Sequence, residues 1–195
     1  SGTTLEPLSL YAIFREWLEA SLPRPVAGRH CFVITDPGTP LEKLRQRDLM
    51  RLTLNAPPTV GGRFSALSMF GLAPAALTGI DVETLVSRAS AMESACRLPV
   101  AENPAALLAA WMTESYESGR DKLTIVTSPG LASFGLWAEQ LVAESLGKDG
   151  RGIVPVIEHD PRLPTGYGND RAVVVLRLES DAELASWSRD AAPTH

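Results

Sequence analysis

Apolar residues recur at two spacings along this chain, and the switches between them mark out its elements. Over residues 5–22, Leu8, Ile13, Phe14, Trp17 and Leu18 fall near a 3.6-residue period, which predicts an amphipathic helix with Pro7 tolerated in its first turn. Residues 23–28 read as a linker. The apolar run His30-Cys31-Phe32-Val33-Ile34-Thr35 reads as a buried strand, ended by Asp36-Pro37-Gly38. Asp36 would stand at the carboxyl end of that strand, where α/β ligands sit, but Asp before Pro-Gly is more often a turn former. A short helix over 41–47 and a second strand over 49–54 complete a strand–helix–strand unit, the pattern of parallel strands joined by a crossover. Helices are predicted over 66–77 and 82–96. Between them Gly79 stops the first and Asp81 caps the second, and Met69, Phe70, Leu85 and Met92 are assigned to the core.

After a second linker at 99–103, Pro104 opens a helix running to 116, and 122–128 is a strand that Pro129-Gly130 turn into a further helix. In that helix Leu136, Leu141, Val142 and Leu146 make the apolar stripe expected to lie on a sheet. Gln140 and Glu144 are one turn apart and project from one side, close to Gly147, which should end the helix. A short strand at 153–157, a Pro/Gly-rich loop at 160–169, a strand at 171–178 and a helix from Asp181 through 188 follow. The tail 191–195 has a disordered composition. The alternation predicts an α/β fold with a parallel sheet. A new strand–helix unit starts near 104, so a subdomain boundary is placed at 99–103, giving 1–99 and 100–195.

Composition narrows the possibilities. The chain has 195 residues, of which 45% are apolar, enough for a substantial core. It holds no run of 18 apolar residues and no charged-then-apolar leader, so the expectation is a soluble protein with the cytoplasm as default compartment and no membrane partner. A net charge of -5 with no Lys/Arg cluster argues against a nucleic-acid surface, while a small anion needs only a few local donors. Cys31 and Cys96 form no CxxC pair and His30, His159 and His195 are scattered, so neither zinc nor a disulfide framework is expected. The chain begins without Met, which suggests processing or a piece of a longer protein.

Three stretches carry candidate chemistry. Ser1-Gly2-Thr3-Thr4 has the composition of an anion-binding turn ahead of a helix whose free amides and dipole would favour a phosphate; Thr3 or Thr4 serves equally as a plain N-cap. Gly61-Gly62-Arg63 lets the backbone approach a ligand while a guanidinium supplies fixed charge, or forms a flexible turn with a solvated Arg. Gln140 and Glu144 can hold and deprotonate a ligand, or form a solvated i, i+4 pair.

The segment Val60-Gly61-Gly62-Arg63-Phe64-Ser65-Ala66-Leu67-Ser68, followed by Phe70-Gly71-Leu72 and Pro74-Ala75-Ala76-Leu77, resembles the glucose-6-phosphate isomerase signature. The opening Ser-Gly-Thr-Thr-Leu-Glu-Pro resembles the tail of that family's sugar-phosphate loop, and Ile34-Thr35-Asp36-Pro37 its next strand. The stretch from Glu139 to Lys148 is similar to the family's catalytic Glu segment. That from Lys148 to Val156 resembles the isomerase part of bifunctional transaldolase/glucose-6-phosphate isomerase proteins. The resemblance implies a three-layer α/β/α fold of the sugar-isomerase (SIS) type with a parallel sheet. Residues 1–99 would be the C-terminal part of one SIS subdomain and 100–195 the N-terminal part of a second. The site would lie between subdomains and be completed by the partner in a homodimer. It also implies that Ser1, Thr3 and Thr4 hold the phosphate, that Gly62 and Arg63 face the developing enediolate, and that Gln140 contacts the substrate. Glu144 would be the base that interconverts glucose 6-phosphate and fructose 6-phosphate, with no metal or cofactor. The family segments ahead of Ser-Gly-Thr-Thr and its C-terminal Lys motif have no counterpart here, and no His is assigned to ring opening. The alternatives are a non-catalytic sugar-phosphate-binding regulator on the same scaffold and an inactive piece of the isomerase.

Overall fold

A computed structural model describes residues 5–158 and 168–190. The chain divides into two compact units, Ser1–Ser90 and Ala91–His195. The tail 191–195 and most of the 160–169 loop lie outside the described residues.

The first unit opens with α1 (Leu5–Glu19) and α2 (Arg24–Arg29). Most of the 23–28 stretch expected as a linker is helical, because Pro25 stands in the first turn of α2, where its missing N–H leaves no bond unmade. Strand β1 (Val33–Thr35), helix α3 (Pro40–Arg47) and strand β2 (Thr53–Asn55) form the expected crossover unit, with Val33 opposite Thr53 and Thr35 opposite Asn55 in a parallel pair. β2 starts later than the apolar run suggested because residues 48–50 close α3 instead. The Leu49 N–H donates to the Gln46 carbonyl (3.4 Å) and the Met50 N–H to that of Arg45 (3.0 Å). Leu49 is left-handed, with φ 56°. This is a Schellman closure, in which glycine is the usual left-handed residue.

A 3-10 turn (Gly62–Leu67), α4 (Met69–Leu77) and α5 (Val82–Ala95) follow. The single helix expected over 66–77 is split at Ser68, which is extended and accepts the Phe70 N–H on its hydroxyl at 3.2 Å. The corner is so tight that a Cβ on Gly71 would lie 2.0 Å from the Ala66 carbonyl oxygen. The core assignment of Met69, Phe70, Leu85 and Met92 is overturned, since they are 41%, 37%, 37% and 56% exposed. Among the described residues the first unit's sheet has two strands, too few to cover α4 and the part of α5 that belongs to this unit. Helix α1 behaves likewise: Ile13, Phe14 and Trp17 are exposed, and the residue it buries is Arg15.

In the second unit, α6 (Pro104–Glu117) is capped by Asn103, whose Oδ1 accepts from the Ala105 and Ala106 N–H groups. Strand β3 (Lys122–Thr127) is central, flanked by β4 (Val154–Glu158) and β5 (Arg171–Leu176), all parallel. Helix α7 (Ala132–Leu146) covers this sheet, and α8 (Ala182–Asp190) ends the described chain. Leu123, Ile125, Ala138 and Ala172 form the core, with Met112, Val142, Ile157 and Val174 packed around them.

The face that α7 turns to the sheet is not the stripe of large residues read from the sequence. Gly135 and Ala138 are buried, and a Cβ on Gly135 would stand 3.1 Å from Ile157 Cγ2. Of the four stripe residues, Val142 packs on the core and Leu141 is half-buried, while Leu136 and Leu146 are 61% and 48% exposed. Close approach of a helix to strands selects small side chains, so the small residues mark the buried side.

Candidate functional site

The candidate residues divide between the two units. Ser1, Thr3 and Thr4, assigned to the phosphate, lie outside the described residues. In the first unit β2 ends at Asn55, and the chain then runs to Gly62 and Arg63 at the start of the 3-10 turn. This turn is held by its own hydroxyls: Ser65 Oγ donates to the Gly62 carbonyl (2.6 Å) and Ser68 Oγ to that of Ser65 (2.7 Å). Arg63 is half-buried and Gly62 exposed. A Cβ added at Gly62 would meet no atom within 4 Å, and its φ lies outside the left-handed region. Neither crowding nor backbone conformation therefore explains glycine there, in contrast with Gly71 in the same motif.

In the second unit Gln140 and Glu144 lie on the side of α7 away from the sheet, in one row with Leu136, and both are exposed. The face that packs on the sheet belongs instead to Gly135 and Ala138. Gly147 ends the helix as expected, and a Cβ there would sit 2.6 Å from the Ala143 carbonyl oxygen. The next four residues form a tight two-residue turn. Lys148 and Arg151 exchange backbone hydrogen bonds of 2.9 Å in both directions, with Asp149 and Gly150 at φ 53° and 72°. Glu144 thus stands about one turn before the helix end and its hydrogen-bonded closing turn.

The most strongly perturbed groups belong to a cluster that local patterns did not reveal. Asp48, 3% exposed, accepts hydrogen bonds from Arg47 Nε (3.0 Å) and Nη2 (2.7 Å), from the Tyr11 hydroxyl (2.8 Å) and from Arg24 Nη2 (3.3 Å). The Arg47 hydrogen bonds, aided by Tyr11 and Arg24 against the opposing effect of burial, hold its pKa down at about 2. Burial, and then the bond to Asp48, push the Tyr11 phenol well above its usual range. Arg15 pairs with Glu19 and donates to the carbonyls of Asp48 (3.1 Å) and Arg24 (3.0 Å). An open cleft of about 740 Å³ lies over these groups. Their polar atoms already serve one another, so the cluster reads as a clasp between α1, α2 and the end of α3. Its partners are 33 and 37 residues apart along the chain, beyond any local spacing rule.

Among the described residues no group of three or more His, Cys, Asp or Glu side chains is placed to hold a metal, and no helix is long and apolar enough to cross a membrane. Cys31 and Cys96 are free thiols.

Parallel strands joined through helices in both units define an α/β protein, consistent with an SIS-type α/β/α fold. The chain is similar to the crystal structure of a hypothetical protein, TT0462, from Thermus thermophilus, with a TM-score of 0.78 and 29% identity, covering 90% of this chain and 45% of that one. No family model matches the chain. Among curated proteins it is 39% identical over 160 residues to the glucose-6-phosphate isomerase of Parabacteroides distasonis. It is 36% identical over 159 residues to that of Symbiobacterium thermophilum, and 37% identical over 161 residues to a probable glucose-6-phosphate isomerase of Methanococcus maripaludis. Each match takes in 80% of this chain and 35% of the relative. The chain is consistent with a partial member of the glucose-6-phosphate isomerase family, and it spans about a third of the length of the curated relatives it matches.

Proposed function

We propose that the chain is part of an aldose–ketose isomerase that interconverts glucose 6-phosphate and fructose 6-phosphate. The observation that carries this reading is the similarity to relatives named glucose-6-phosphate isomerase, at 36–39% identity over 80% of the chain. Two structural features support it. Glycine at position 62 meets no need of the fold, as expected where backbone must approach a ligand. Gln140 and Glu144 share an exposed row, so both are accessible to a substrate.

In the proposed chemistry the Glu144 carboxylate removes the proton from C2 and returns it to C1, and Gln140 holds the sugar. Arg63 faces the negative charge that develops on the enediolate and exists mainly at the transition state, where one fixed donor is worth several kcal/mol. Ser1, Thr3 and Thr4 take the phosphate, and a second copy of the protein completes the site. Because the chain spans only about a third of its relatives, the 195-residue chain alone should turn over far more slowly than a protein extended to their full length.

Exchange of the substrate's C2 hydrogen with solvent deuterium tests the assignment. In the extended protein Glu144→Gln keeps the shape and removes the basic oxygen. It should abolish exchange while leaving glucose 6-phosphate bound nearly as tightly as before, and tighter than free glucose. Exchange at the original rate in this variant would make Glu144 a surface carboxylate and favour a non-catalytic sugar-phosphate-binding role for the chain.

A further inference from the structure

We propose that Arg29, His30, Arg45 and Arg51 in the first unit form a binding site for a small anion carrying phosphoryl groups. The inference is independent of the isomerase reading. Arg29 and His30 stand at the end of α2, Arg45 in the last turn of α3, and Arg51 two residues ahead of β2. What brings them together is Gly28. It lets the backbone of α2 approach the turn after α3 so closely that a Cβ there would fall 2.2 Å from the Asp48 carbonyl oxygen and 2.8 Å from that of Leu49. Two hollows of about 520 and 290 Å³ result, sharing Arg29, Leu49 and Met50. His30 and Arg51 line the larger, Arg45 the smaller, and no carboxylate lines either.

Arginines at helix ends ordinarily offset the negative end of the helix dipole and bond its free carbonyls. Here backbone amides already take those carbonyls. His30 and Cys31 N–H donate to Ala27 and Gly28 at the end of α2, and Leu49 and Met50 N–H donate to Gln46 and Arg45 at the end of α3. None of the three arginines forms an ion pair or a side-chain hydrogen bond with another described residue. Arg45 Nε is shut off from solvent and has no hydrogen-bond partner among them. Three guanidiniums on one surface without an ion pair among the described residues, in a chain of net charge -5, have the donor geometry that phosphoryl oxygens fill as paired acceptors. The two hollows together are of small-molecule size, and their shared edge at Arg29 suits a ligand with two anionic groups.

Inorganic pyrophosphate is the probe. Calorimetric titrations at matched ionic strength compare the 195-residue chain with Arg29→Gln, Arg45→Gln and Arg51→Gln, and with Thr3→Ala/Thr4→Ala, which disables the proposed substrate-phosphate turn. Arg29 and Arg51 are exposed, so their variants should keep the fold even if Arg45→Gln does not. The expected result is binding that survives the threonine changes and weakens roughly tenfold or more when Arg29 or Arg45 is replaced. Loss of binding in the threonine variant with unchanged binding in all arginine variants would overturn the proposal. So would the absence of binding to the parent chain, or binding of a nucleic-acid oligomer in preference to pyrophosphate.

Discussion

Replacing Asp48 by Asn should make the first unit less stable at neutral pH and remove part of its sensitivity to acid. The carboxylate is 3% exposed and accepts four hydrogen bonds from Arg47, Tyr11 and Arg24, which hold its pKa at about 2 against an ordinary 3.8. A pKa lowered in the folded state contributes stability that is complete above the unfolded value and disappears as pH falls through the folded one. At 1.36 kcal/mol per unit this amounts to roughly 2 kcal/mol at pH 7, lost between about pH 4 and pH 2. Asparagine mimics the protonated form, so the gap between parent and variant should be roughly 2 kcal/mol at neutral pH and close to zero near pH 2. Arg24 and Arg47 keep most of their side chains in water, which limits the damage compared with a fully buried pair. Hydrogen exchange at the amides of α1, which Tyr11 and Arg15 tie to Asp48, reports on this unit specifically. A gap that stays constant from pH 7 to pH 2 would show that the carboxylate's charge does not hold the clasp.

Two further changes test how local geometry sets stability. Ser128, 1% exposed, donates through Oγ to Asp181 (2.7 Å) and accepts the Leu178 N–H (3.0 Å), so Ser128→Ala leaves a backbone donor unpaired. A loss of about 1–3 kcal/mol in urea unfolding is expected, with faster exchange at Leu178, and an unchanged midpoint would mean that water replaces the hydroxyl. Leu49 is the left-handed residue of a closure that α4 and α6 make with Gly79 (φ 82°) and Gly119 (φ 85°). Since its side chain is 52% exposed, Leu49→Gly should raise stability by up to about 1 kcal/mol, and a loss of that size would show that leucine packing outweighs backbone strain.

Much of the local architecture was legible in residue order. The β-rich run at Lys122–Thr127 and the cap Asp81 define elements through interactions a few residues long, as do the stops at Gly79 and Gly147. The parallel pairing followed from strands alternating with helices, and the resemblance to the isomerase family rested on motifs that stay contiguous in the chain. What tertiary structure alone decided was which faces are buried and which distant groups meet. Periodicity shows that a helix has an apolar side and leaves open what it packs against. Hence Met69, Phe70, Leu85 and Met92, assigned to a core, are exposed, while on α7 the sheet selects Gly135 and Ala138 over Leu136 and Leu146. The Asp48 clasp joins groups 24 to 37 residues apart. Arg29, Arg45 and Arg51 form no cluster in the sequence and share one surface only because Gly28 lets two backbones come together. Short-range rules act through covalent connectivity and backbone hydrogen bonds, so sequence records them directly. Burial and charge pairing depend on the packing of the whole chain, and each residue acquires them only when it folds.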